Sequence, residues 1–91
     1  MTVLQKPSFR KVYKKLKPNQ KIDADAAIDV IISSPEEVGT QKKGDLSGVY
    51  VYKFKMVGQL TLIAYTFEEG NIVLTLLAIG SHENFYRDLK N

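Results

Sequence analysis

The stretch GVYVYKFKMVGQLTLIAYTFEEGNIVLTLLAI at positions 48–79 decides the fold. Its apolar residues recur with period two, and three runs, Val49–Val57, Leu60–Glu68 and Ile72–Ile79, are rich in β-branched and aromatic side chains. Gly58-Gln59 and Gly70-Asn71 separate the runs, and each suits a two-residue hairpin turn that starts with glycine. An antiparallel meander of three strands is therefore expected. On the first strand Tyr50, Tyr52, Phe54 and Met56 share one face, and Val49, Val51, Lys53, Lys55 and Val57 share the other. With Gly58-Gln59 as the turn, Val57 pairs with Leu60, Phe54 with Ile63 and Tyr52 with Tyr65, which gives one aromatic face suited to burial. Counting on through Gly70-Asn71 pairs Phe67 with Leu74, Tyr65 with Leu76 and Ile63 with Ala78. It also leaves Ile79 beside Leu62 on the lysine face.

Upstream the period changes to that of a helix. Residues 2–5 suit a short strand, and Pro7 suits a first helical turn, where its missing N–H needs no partner. Phe9, Val12, Tyr13 and Leu16 then form an apolar stripe, with Arg10, Lys11, Lys14, Lys15 and Lys17 on the remaining surface. Pro18 ends this helix and opens a second, whose buried stripe is Ala24, Ala27, Ile28 and Ile31, with Asp23 and Asp25 placed near its positive end. The second helix stops at Ser34, because the residue before Pro35 is pushed out of the α region. Ser-Pro-Glu-Glu at 34–37 reads as the cap of one further turn ending at Gly39, and 40–47 as a polar loop. The tail from His82 to Asn91 is amphipathic enough for a final helical turn or two. The expected architecture is α+β in one domain, residues 1–91: two N-terminal helices on the aromatic face of an antiparallel sheet, the lysine face at least partly open, and a short C-terminal helical tail.

Composition narrows the chemistry. The net charge of +3 hides a polarised chain. Residues 1–21 hold Lys6, Arg10, Lys11, Lys14, Lys15, Lys17 and Lys21 with no acid, a local +7, whereas the other 70 residues carry six bases and ten acids, a net −4. Such a split fits a polyanionic or acidic partner, and it equally fits a solvated basic helix. The absence of cysteine removes disulfides, thiol nucleophiles and thiolate metal sites, and the single histidine, His82, removes multi-histidine metal sites. No metal or cofactor is expected. The longest uncharged runs, Met56–Phe67 and Gly70–His82, span 12 and 13 residues, short of the roughly 20 that cross a bilayer as a helix. Without a membrane span, or an apolar run after a basic start, the expected compartment is the cytoplasm.

Candidate chemistry gathers on the lysine face. Lys53 and Lys55 stand at i, i+2, and His82 follows the third strand, with Tyr86 and Arg87 close behind in sequence. Two ammonium groups can hold a phosphodiester, and an imidazole with an unperturbed pKa near 6.5 can move protons near neutral pH. The same lysines would also keep an open sheet from associating, and Phe85 and Tyr86 would also serve to dock the tail on the sheet.

Three segments resemble the RelE/ParE superfamily: Lys-Gly-Asp-Leu-Ser-Gly-Val at 43–49, Val-Tyr-Lys-Phe-Lys-Met at 51–56, and Gly-Ser-His-Glu-Asn-Phe-Tyr at 80–86. The last, continued through Arg-Asp-Leu, is similar to the tail of its RelE- and YafQ-like branch. The resemblance covers nearly the whole chain and implies a toxin of a bacterial type II toxin–antitoxin module, with a cognate antitoxin as partner. It further implies a ribosome-dependent mRNA endonuclease in which Lys53, Lys55, His82 and Tyr86 are catalytic. Arg87 and the helix residues Arg10, Lys11, Lys14 and Lys15 would then contact RNA. One position departs from the pattern: RelE-type members carry an arginine on the middle strand, and an ungapped match puts Leu62 there. Since the superfamily also includes ParE-like members that inhibit DNA gyrase without nuclease residues, gyrase is the alternative target.

Overall fold

The computed structural model describes residues 2–42, 44, 48–68, 73–81 and 85. Its elements are β1 (Thr2–Gln5), α1 (Pro7–Lys14), α2 (Pro18–Ser33), α3 (Pro35–Val38), β2 (Thr40–Gln41), β3 (Tyr50–Met56), β4 (Gln59–Glu68) and β5 (Val73–Ser81). The strands form one sheet in the order β1-β5-β4-β3-β2. It is antiparallel except that β1 runs parallel to β5, from Thr2 opposite Val73 to Gln5 opposite Leu76. The helices follow β1 directly and cover one face, so the chain crosses that face before returning as the meander.

Prolines punctuate the helical half as the sequence suggests, standing at the first position of α1, α2 and α3. Buried Phe9 anchors α1, with Tyr13 and Leu16 half-buried, but Val12 of the expected stripe is 40% exposed. Ala24, Ala27 and Ile31 are buried beneath α2 with Ile28 half-buried beside them. Asp23 and Asp25 lie beyond the first turn of α2, so they do not serve its N-terminal end. Each instead takes a distant donor: Asp25 Oδ1 accepts from the Tyr13 hydroxyl at 2.6 Å, and Asp23 Oδ2 accepts from the Val57 N–H at 2.8 Å. The hydroxyl of Ser34 caps nothing. Its carbonyl takes the Glu37 and Val38 N–H groups and so holds the single turn of α3. Part of the expected polar loop is strand: Thr40 and Gln41 pair with Val51 and Tyr50.

The hairpin registers correct the sequence-based count in two ways. The turn between β3 and β4 is Val57-Gly58, with Met56 opposite Gln59, so Phe54 faces Thr61 and Tyr52 faces Ile63. Both turn residues have positive φ, Val57 at 50° and Gly58 at 78°. A turn of this kind matches the twist of a hairpin, although valine is among the residues least suited to that conformation. The Asp23 carboxylate on the Val57 N–H holds it. Because the register moves by two, side chains stay on their expected faces. The second correction does change faces. A bulge between Ala64 and Tyr65 leaves Leu77 unpaired, so Phe67 faces Leu74 and Tyr65 faces Leu76 as expected, but Ala64 then meets Ala78 and Ile63 meets Ile79. Ile79 therefore joins the helix-side core, and Ala78 moves to the other face.

Two buried clusters result. Phe9, Ala24, Ala27, Ile31, Ile63, Tyr65, Leu74, Leu76 and Ile79 form the helix-side core, with Tyr50, Tyr52 and Phe54 packed at its border. Tyr65 is at its centre: its ring stacks on Tyr50 at 5.5 Å between centroids, and its hydroxyl donates to the Pro35 carbonyl at 2.6 Å. Burial foremost, and then the neighbouring Tyr50, push its pKa up to about 12. A Cβ at Gly39 would overlap the Tyr65 hydroxyl, which explains glycine at the end of α3. The second cluster lies on the helix-free face, where Val51, Leu62, Ala64 and Ala78 are buried together with Phe85. That face is thus closed over part of its area by Phe85, and among the described residues it is open only beyond it.

Candidate functional site

The open part of the helix-free face lies toward the β3–β4 turn. Lys53 and Lys55 share the parity of buried Val51, so all three side chains leave β3 on that face, and both lysines are exposed. Lys53 pairs with Leu62, which pairs in turn with Gly80, and Lys55 pairs with Leu60. Among the described residues, none would come within 4 Å of a Cβ at Gly80. Leu60 borders the patch at 40% exposure. The result is a shallow apolar floor with two ammonium groups, spaced i, i+2 and hence roughly 7 Å apart along the strand. Two cations at this spacing can both reach one phosphodiester, and neither has a carboxylate opposite it on β4.

Register is what sets the neighbours. The sequence count placed Lys55 beside Leu62 and Lys53 beside Ala64. The observed turn instead moves Leu62 beside Lys53, and the bulge brings Gly80 to the same row. Neither Gly80 nor Leu60 was placed in this patch from sequence: Leu60 comes beside Lys55 through the Val57-Gly58 turn, and Gly80 comes beside Leu62 through the bulge, which the alternation of β5 does not announce. Leu62, at the position where an arginine was sought, is fully buried under the Phe85 cluster. The middle strand therefore adds no charge to this face between Leu60 and Ala64.

The other expected site residues fall into two groups. His82, Tyr86 and Arg87 lie outside the described residues. Their sequence neighbours Ser81 and Phe85 are described: Ser81 is the last residue of β5, opposite Thr61, and Phe85 is helical and buried against Val51 and Leu62. Arg10, Lys11, Lys14 and Lys15 are all exposed on α1, which packs over β5, the Ser8 hydroxyl donating to the Leu77 carbonyl at 2.6 Å. They border a recess of about 350 Å³ beginning at Pro7, and Arg10 also reaches a larger one, about 620 Å³, beside β1. α1 covers the opposite face of the sheet from Lys53 and Lys55 and sits two strands away. The structure does not unite the basic helix and the lysine pair in one site.

At the α1–α2 junction, Tyr13 is held between Asp25 and Lys21, whose Nζ is 5.5 Å from the ring centroid. The hydrogen bond to Asp25 raises the Tyr13 pKa. These contacts fix the two helices to each other and bring no further residue to the lysine patch. No described helix is long and apolar enough to cross a membrane.

Comparison with known proteins agrees with this architecture. The isolated Escherichia coli RelE toxin superposes with a TM-score of 0.71 at 16% identity, covering 90% of this chain and 84% of that one. A YoeB/ParE toxin from Agrobacterium tumefaciens gives 0.71 at 15% identity, over 90% and 99%. The toxin in the intact E. coli RelBE toxin–antitoxin complex gives 0.69 at 15% identity, over 90% and 96%. No curated protein sequence matches the chain significantly. Residues 3–90 match the family model of the ParE-like toxin of type II bacterial toxin–antitoxin systems, and the chain, nearly all of it within that match, belongs to this family.

Proposed function

We propose that this toxin cuts mRNA on the ribosome, without a metal, through attack of the RNA 2′-OH on the adjacent phosphate. The observation that carries this reading is the pair of exposed lysines near Gly80, where an added Cβ would meet none of the described residues within 4 Å. In the reaction a 2′-O–P bond forms and the P–O5′ bond breaks. A base takes the 2′ proton, an acid supplies one to the leaving 5′-oxygen, and cations stabilise the extra charge on phosphorus. Lys53 and Lys55 supply that stabilisation, which is usually the largest single contribution in enzymes. His82 is the general acid or base, worth about 10² to 10⁴ in rate. Tyr86 stacks on a base or shares the proton transfer, and Arg87 holds phosphate. The basic α1 surface, Arg10, Lys11, Lys14 and Lys15, docks on ribosomal RNA from the far side of the sheet, a contact that would weaken steeply with salt. A cognate antitoxin neutralises the protein by covering the lysine patch.

Expression of the wild type, Lys55→Ala and His82→Ala tests the proposal. Growth arrest and mRNA ends that appear only with ongoing translation are expected for the wild type and should disappear in both variants. Arrest that survives both substitutions overturns it. A second reading, inhibition of DNA gyrase without chemistry, is favoured by the fully buried Leu62, and DNA damage with intact mRNA would establish it.

A further inference from the structure

Two turns compete at the tip of the β3–β4 hairpin, and the local sequence favours the one that is not used. With Gly58-Gln59 at its centre, a type II′ turn needs a positive φ at glycine alone. The observed turn, Val57-Gly58, instead holds a β-branched residue at φ 50°, a region such side chains rarely enter. One N–H group separates the two. In a two-residue hairpin the residues flanking the turn exchange both main-chain hydrogen bonds, while the first turn residue keeps its N–H free. The observed turn leaves the Val57 N–H free in this way, and Asp23 Oδ2 accepts it at 2.8 Å. Were the turn centred on Gly58-Gln59, Val57 would flank it and give the same N–H to the Leu60 carbonyl. Asp23 and the second turn therefore compete for a single donor.

The acceptor is held from outside the hairpin. Asp23 belongs to α2, where its neighbour Ala24 is buried in the core and Asp25 is tied to the Tyr13 hydroxyl of α1. Alternation of apolar residues does not choose between the turns, because a shift of two keeps Tyr52 and Phe54 on the helix side and both lysines on the other. What changes is the row in which each lysine stands. As observed, Lys55 is opposite Leu60 and Lys53 opposite Leu62. Between these rows lie Thr61 and its partner Ser81, the last residue of β5, after which the sequence continues to His82. With the other turn, Lys55 would stand opposite Leu62 and Lys53 opposite Ala64, about 7 Å along the strand. Lys53 would then fall within the Leu62, Ala64 and Ala78 cluster under Phe85, and the row of Thr61 and Ser81 would no longer lie between the two cations.

We propose that Asp23 is a positioning residue: by taking the Val57 N–H it selects the register of the β3–β4 hairpin and so sets where Lys53 and Lys55 stand relative to the end of β5. It touches no substrate and acts through the turn. The use of the two lysines on phosphate rests on the nuclease reading above, whereas the choice of register does not. A hydrogen bond to a charged acceptor is strong enough to decide between two turns whose strands bury the same residues. Removing the acceptor favours the turn with glycine first. Removing the strain at position 57 makes the acceptor unnecessary, since Asn-Gly is the pair best suited to positive φ at both turn positions.

Cross-strand Hα–Hα contacts measured by NMR on the full chain report the register directly, because they are shortest at the pairs that exchange no hydrogen bonds. The wild type should show Lys55–Leu60 and Lys53–Leu62. In Asp23→Ala the balance should move about tenfold or more toward Met56–Thr61 and Phe54–Ile63, as expected for the loss of one hydrogen bond to a charged group. Asp23→Asn, which keeps an acceptor oxygen, should retain the wild-type contacts, and Asp23→Ala with Val57→Asn should regain them. Cleavage of mRNA should fall about tenfold or more in Asp23→Ala and return in the double variant, a rescue that general loss of packing would not give. Wild-type contacts alone in Asp23→Ala, or a double variant that stays shifted, would overturn the proposal. If Asp23→Ala does not fold, the double variant decides: wild-type contacts support the assignment, and shifted contacts or no fold overturn it. Undiminished cleavage by a variant shown to be shifted would overturn the positioning role. A wild type that cuts no mRNA while the register responds as described overturns the nuclease assignment and leaves the register selection standing.

Discussion

The two faces of the sheet use the same alternation to opposite ends. Under the helices, rings and branched side chains pack until Phe9, Ile31, Ile63 and Tyr65 have no exposed surface. On the helix-free face, among the described residues, a smaller cluster of Val51, Leu62, Ala64 and Ala78 is covered by the ring of Phe85 and gives way to charge at Lys53 and Lys55, with none of them within 4 Å of a Cβ at Gly80. One face is filled from three elements and has little left to offer a ligand. The other, among the described residues, is covered by Phe85 and leaves both lysines exposed. The packed core and the exposed cation pair are thus placed back to back across a single layer of backbone.

Paired truncations would break this contrast if it is wrong. Phe9→Ala should lower unfolding free energy by about 3–5 kcal/mol, as for other buried phenylalanines, whereas Phe85→Ala should lower it less, because its cluster is smaller. Equal losses in urea titrations would mean that both faces support the fold alike. Next in size, Lys55→Ala should reduce mRNA cleavage about 10²- to 10³-fold, the loss typical of a removed stabilising charge or donor. Its urea midpoint should move by no more than about 0.5 kcal/mol in equivalent stability, as for exposed residues elsewhere. A large stability loss would assign the lysine to the fold. A smaller effect is expected at the hairpin joining the faces: Val57→Asn should stabilise by about 1 kcal/mol, since asparagine tolerates the positive φ that strains valine. No gain would show that Asp23 already removes the strain.

The finest distinction concerns pH. Tyr65 keeps its proton to about pH 12 in the folded protein, while an unfolded chain releases it near 10. The folded state therefore binds more protons between these values, so this contribution is complete below pH 10 and is lost as pH rises toward 12. Tyr65→Phe should flatten the alkaline part of the stability curve relative to the wild type. An unchanged slope would mean that the buried phenol does not govern it.

Much of this was legible in the sequence, and the failures share a cause. The 3.6-residue stripe on α1, the prolines before three helices and the period-two runs are local signals, and they located the elements and the buried aromatic face. The Val57-Gly58 turn was not legible, because valine argues against positive φ and the compensating acceptor is Asp23, 34 residues away in sequence. The bulge at Leu77 escaped for the same reason: alternation counted from a turn presumes that no residue is skipped. Lys53 and Lys55 were found on the correct face, since parity survives a shift of two. Their neighbours were misassigned, since those depend on register.

The bulge has a further consequence, which is arithmetic. Were Leu77 paired instead of skipped, the alternation from Leu76 onward would send Ile79 to the lysine face and Gly80 beneath the helices. A branched side chain would then stand in the row of Lys53, and the core would lose an isoleucine to a glycine. One uncounted residue thus sets, for the rest of β5, which side of the protein is inside. Deletion of Leu77 would regularise the ladder and leave Ala78, Ile79 and Gly80 on the faces they occupy now, whereas one residue deleted between Ala78 and Ser81 would change the face of those that follow it.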